Sequence, residues 1–203
     1  MAACLRWASM LAAVALVTLL LASRAVAAPL PAALDAPVSA SQVNATAALT
    51  DTWKLAPDWQ VAPVLPPQVS QAVAATGGQL LLAAWQDADR YETAQVRMTV
   101  VVLPRRQLSL TGYVKGATTE LATEQVNVQQ AVITNTLRAD GLPVAELMLG
   151  SGEQRGAQLI TIDADGENLW LFTLSAPAQD FQARRQELHT LLRSAVAVSL
   201  GVP

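Results

Sequence analysis

Cysteine is all but missing from this sequence: Cys4 is the only one. Histidine is as scarce, with His189 alone, and lysine occurs only at Lys54 and Lys115. Aromatic residues make up 4% of the chain and charged residues 14%. Each shortage excludes something. A zinc centre wants three or four His, Cys or carboxylate ligands, and one histidine is a poor start. A Ser-x-x-Lys dyad is ruled out, because Asp51 and Gly112 stand three residues before the two lysines. No Gly-x-Ser-x-Gly elbow offers a serine nucleophile, and no glycine pattern cradles a phosphate. His189 is therefore read as a partly exposed residue on the edge of a helix. A low basic content with an overall charge of −3 gives no footprint for nucleic acid or an anionic membrane surface.

The N-terminus, by contrast, is full of signal. Arg6 supplies a positive start, and Leu11–Ala22 (LAAVALVTLLLA) is almost wholly apolar. Ala25-Val26-Ala27 then fits the small-x-small rule for signal-peptidase cleavage. Residues 1–27 are read as a cleavable secretory leader. The competing reading is an uncleaved anchor, but the uncharged run of about 16 residues falls short of the ~20 that span a bilayer. A lipid anchor would need a cysteine at the end of that run, and Cys4 lies before it. Loss of Arg6 and Arg24 takes 13 basic residues to 11 against 16 acidic ones, a mature charge near −5. The mature chain then holds no cysteine, so its stability rests on its core rather than on disulfides. Abundant Ala, Leu and Val with few lysines fit a GC-rich bacterial genome. The expected destination is periplasmic or secreted. Asn44-Ala45-Thr46 matches a glycosylation sequon and is read as a chance match.

Residues 28–49 are Ala, Pro and Ser with few large apolar groups, and predict a flexible tether. A single domain is expected over 50–203. Asp51–Leu55 alternates polar and apolar and predicts a short strand, and Pro63, Pro66 and Pro67 make 60–69 an irregular loop. Thr76-Gly77-Gly78 reads as a turn. Gln79–Gln86 (QLLLAAWQ) is a continuous apolar run, suited to a strand buried on both faces. Thr93–Leu103 alternates, with Val96, Met98, Val100 and Val102 on one side. Leu110, Tyr113, Val114, Ala117 and Leu121 then form one helical stripe, which predicts a helix over 107–124. Strands are predicted at 127–138 and 143–149, followed by a loop rich in glycine (Gly150, Gly152, Gly156). Gln158–Asp163 and Asn168–Ser175 flank an Asp-Gly turn and predict a hairpin. That reading is preferred over an acidic calcium loop at Asp163–Glu167, where Gly166 comes too early for the pattern. A last helix follows Asp180, with Phe181, Leu188, Leu191, Leu192 and Ala195 on one face. The order of elements predicts an α+β fold, helices packed on a mostly antiparallel β-sheet.

Three stretches carry a family resemblance. Trp53, Leu55, Pro57 and Trp59 open the domain; Asp140–Leu147 (DGLPVAEL) lies in mid-chain; Leu169–Pro177 (LWLFTLSAP) leads into the terminal helix. Together they resemble the PsbP-like superfamily, which includes photosystem accessory proteins, periplasmic DcrB-like proteins and LpqN-like lipoproteins. Cytoplasmic chaperones of type VI secretion effectors look like relatives too. The resemblance spans about 50–198 and rests on packing and turn residues. It implies a sheet with flanking helices and a non-catalytic role in binding or assembly. The chain departs from the lipoprotein members by lacking their lipid-bearing cysteine.

The function expected is an exported binding or assembly module with no catalytic residues, metal or cofactor. Its partner would be a protein or a small apolar ligand of the cell envelope, without nucleic acid, and with a membrane only if the leader stays uncleaved. The alternatives are a hydrolase of envelope polymer that uses a carboxylate pair, and a purely structural envelope protein. Trp53, Trp59, Trp85 and Trp170 stand out among few aromatics. Trp85 and Trp170 are read as core, and Trp59, beside the prolines, as the candidate exposed contact. Arg105-Arg106 and Arg184-Arg185 are read as solvated surface. The leader is checked by N-terminal sequencing of the chain recovered after secretion: cleavage after Ala27, or one residue later, gives a first residue of Ala28 or Pro29, whereas a chain that begins at Met1 is a tethered one.

Overall fold

The computed structural model describes residues 53–62, 67–105, 108–124, 126–151 and 153–199. The leader and tether readings lie outside these residues, as does the start of the predicted Asp51–Leu55 strand. Seven strands form one sheet: β1 (Gln60–Val61), β2 (Gln79–Gln86), β3 (Val96–Pro104), β4 (Asn127–Thr134), β5 (Val144–Ser151), β6 (Gln154–Ile162) and β7 (Asn168–Pro177). Their spatial order is β1-β2-β3-β7-β6-β5-β4, and every pairing is antiparallel. Three α-helices stand among the described residues: α1 (Pro67–Ala74), α2 (Leu110–Thr123) and α3 (Phe181–Ser199). This is an α+β architecture with helices on both faces of an antiparallel sheet.

The two faces divide the core. On one face, Leu80, Val101, Leu103, Leu171 and Leu147 meet Val69 and Val73 of α1 and Tyr113, Ala117 and Leu121 of α2. On the other, Leu82, Met98, Val100, Phe172 and Leu159 meet Phe181, Leu188, Leu191 and Leu192 of α3. The central strands are therefore apolar on both sides, which explains why β2 reads as a continuous run rather than an alternation. An irregularity in the β2–β3 register between Leu80 and Leu82 lets two consecutive leucines, Leu81 and Leu82, join the same core.

Local chemistry sets the element ends. Ser109 caps α2 by accepting a hydrogen bond from the Gly112 amide at 3.0 Å. The β6–β7 turn is closed by Asp163, whose Oδ1 accepts the amides of Glu167 and Asn168 at 2.9 and 3.1 Å. Gly166 there takes a φ of 74°, the left-handed region that glycine enters without steric cost.

Four local expectations are corrected. Trp53–Leu55 is not a strand; the Leu55 amide turns back to the Trp53 carbonyl at 3.0 Å, and the first strand among the described residues is β1. The proline-rich stretch is not all loop, because Pro67 starts α1, where a missing amide hydrogen costs nothing. β4 stops at Thr134 rather than running to 138, since Arg138 is drawn inward to Thr161 Oγ1 and the Ile162 carbonyl, both at 2.7 Å. Gly150 and Gly156 lie within β5 and β6, not in a loop, and face each other across neighbouring registers of that hairpin.

Candidate functional site

The alternation of β5 sends Ala145, Leu147 and Leu149 toward α1 and α2, and so turns Glu146 toward α3. A carboxylate buried under a helix needs a partner there. α3 supplies two, at one-turn spacing. Arg185 donates from Nε to Glu146 Oε1 and from Nη2 to Oε2, each at 2.7 Å. His189 Nε2 lies 3.0 Å from Oε1. Burial by itself would raise the Glu146 pKa, but the Arg185 and His189 contacts outweigh it and hold the carboxyl down at about 2. The side chains are 10% exposed for Glu146, 28% for Arg185 and 18% for His189, so the cluster sits at the rim of the α3 layer.

A second set of contacts continues along α3. Arg184 Nη1 reaches Asp58 at 3.0 Å and Glu187 at 2.7 Å. Glu187 in turn accepts the Trp59 indole hydrogen at 2.7 Å. Trp59 is thus not the exposed contact expected from its prolines; it is 7% exposed and belongs to the α3-side core. Trp53 lies edge-on to Trp170 at 6.3 Å, and Trp170 stacks on Phe172 at 6.1 Å. Trp85 is core, as expected, with its indole bound to the Ala88 carbonyl at 2.9 Å.

The arginine pairs also differ from the solvated surface expected of them. Arg184 and Arg185 are both committed to ion pairs. Arg105 donates to the Leu108 and Gly166 carbonyls at 2.6 and 3.0 Å, tying the start of α2 to the β6–β7 turn; Arg106 lies outside the described residues. His189 is at the helix edge as predicted, but its carboxylate lies 43 positions away in sequence. The one cue to it was Glu146 itself, a charge at an inward position of an apolar strand.

Beside this clamp, the sheet is open. Glu146 pairs in register with Val132 of β4, the last strand in the order. Six of the eight β4 residues are exposed, and Val132 and Ile133 are 41% and 43% exposed, the large apolar side chains most open to water among the described residues. Being adjacent in a strand, they point to opposite faces.

Chemically, the cluster is better suited to holding than to turnover. A general acid needs a carboxyl poised near the working pH, and Glu146 is ionised well below it. The carboxylate faces an arginine and a histidine, where a glycosidase would set a second carboxylate across a gap. A polar band on the opposite face, Thr99, Gln158, Thr173 and Ser175, is closed to water, each residue being 1% exposed or less. Among the described residues there is no group of three or more His, Cys, Asp or Glu able to hold a metal ion. No helix among them is long and apolar enough to cross a membrane.

Comparison with protein-family models finds no match, and comparison with curated proteins finds none either. Among solved structures, the chain is similar to the solution structure of the cyanobacterial PsbP protein from Synechocystis, at 12% identity and a TM-score of 0.47. The match covers 81% of this chain and 96% of that one.

The clamp has a pH signature. Because the folded pKa of Glu146 lies below its ordinary value of 4.5, the stability it contributes is complete above that pH and is lost as pH falls toward 2. Denaturant unfolding should show Glu146→Gln to be about 1–3 kcal/mol less stable than wild type at pH 7. The gap should close progressively between pH 4.5 and 2. A gap that stays constant over that range would mean that Glu146 is not clamped.

Proposed function

We propose that the chain is a non-catalytic binding or assembly module working outside the cytoplasm, periplasmic or secreted. The observation that carries this reading is the edge strand β4, where Val132 and Ile133 stand in water beside a firmly charged clamp. Exposed apolar side chains on a sheet edge are a liability unless something covers them. Meanwhile the groups best suited to acid–base chemistry, Glu146 and His189, are bonded to each other. The leader-like N-terminus supports the compartment. The resemblance to PsbP-like proteins, with exported members of the DcrB-like and LpqN-like kinds, agrees with a module that holds a partner. The partner this surface suits is a protein strand.

The test uses the purified chain as bait in an envelope extract of its source. Proteins retained on the wild type, further copies of the chain included, should be lost from the V132K/I133K double variant. Equal retention by both baits would overturn the reading. So would release of fragments from envelope polymer by the wild type that is abolished in Glu146→Gln.

A further inference from the structure

The two edges of the sheet are built differently. At one end, β1 is only two residues long, and Pro57 and Pro63 bracket it in the sequence. Short strands and prolines are the usual means of blocking edge-to-edge pairing. At the other end, β4 is eight residues long and carries no charge, no proline and no glycine (NVQQAVIT). α2 packs against the strand, yet Gln129–Ile133 are exposed on both of its faces. The protections found on one edge are absent from the other.

We propose that β4 pairs antiparallel with β4 of a second copy, making one continuous fourteen-stranded sheet across a two-fold axis. This rests on the reading of β4 as the docking edge and names its occupant. Charge selects the occupant. A strand that meets its own copy meets its own charges, and β4 has none to repel, although the whole chain is at −3. A strand evolved for a foreign partner would more usually carry charges that choose that partner.

Register follows from the bulge. The β4–β5 pairing is irregular between Val128 and Gln130 and regular from Gln130 to Thr134. Paired with itself, that straight run centres on Val132, which then faces its own counterpart, while Ala131 faces the partner's Ile133. One apolar contact is thus made on one face of the new ladder and two, related by the axis, on the other, and both exposed side chains are covered. Such a contact is isologous and closes at two copies, because the β1 edge is blocked. A five-residue ladder buries little area, so the dimer is weak and depends on concentration.

Sedimentation equilibrium of the full chain should show a reversible monomer–dimer equilibrium. V132K/I133K places lysines against each other across the axis and should weaken it on the order of 100-fold. The control T93K/Q95K adds the same charge at exposed positions near the β2–β3 turn and should leave it unchanged; circular dichroism confirms that both variants fold. In a Cys4→Ser background, Val132→Cys should form a disulfide-linked dimer on mild oxidation, and Asp165→Cys should not. A wild type that stays monomeric at all concentrations overturns the proposal, as does an equally strong dimer from V132K/I133K. If such a monomer still captures a foreign protein in a β4-dependent way, self-pairing is wrong and the docking edge stands.

Discussion

Glu146 is the one carboxylate that the sheet turns toward α3, and its clamp by Arg185 and His189 fixes how that helix lies. The apolar stripe of α3 can slide or roll over a greasy sheet at modest cost, because hydrophobic attraction has no direction. A bidentate arginine has direction, and it is anchored to one residue of one strand. With Arg185 and His189 pinned on β5, Leu188, Leu191 and Leu192 meet Met98, Phe172 and Leu159 in a single register. Trp59 and Arg184 then fasten the segment before β1 to the same helix through Glu187. The helix is thus tied to β5 and to the opening segment by two sets of polar contacts laid over an apolar core.

Burial on both faces is the second constraint. An antiparallel sheet often leaves one face to water, but here α1 and α2 cover one and α3 the other. The cover thins outward. Phe172 and Leu171 of β7 are fully buried, whereas β4 is mostly exposed. The helical cover is thinnest over β4, an eight-residue edge strand without charge.

Much of this was legible in the sequence. The helical stripes of α2 and α3, the two-faced apolar run of β2 and the Asp163–Gly166 turn are local patterns, set by residues within a few positions of one another. What was not legible depended on distance in the chain. Trp59 sits among prolines and reads as exposed, but its ring is buried by α3 and its indole bound by Glu187, 128 positions on. Arg184 and Arg185 read as a solvated pair because their partners, Asp58 and Glu146, lie in other elements. Arg138 reads as the end of a strand, yet its bonds to Thr161 and Ile162 of β6 draw its side chain inward, past the end of the β4–β5 ladder. The openness of β4 was equally hidden, since an edge is defined by which strand is missing from its side, and composition does not encode strand order.

The most direct measurement is a double-mutant cycle on Glu146 and Arg185, using Glu146→Gln, Arg185→Gln and the pair, with unfolding free energies at pH 7. A clamp that positions α3 gives a coupling energy of about 1.5–3 kcal/mol, so that the second substitution costs little once the first is made. Additive effects, agreeing within about 0.5 kcal/mol, would show that the two side chains do not hold each other, and would contradict the account.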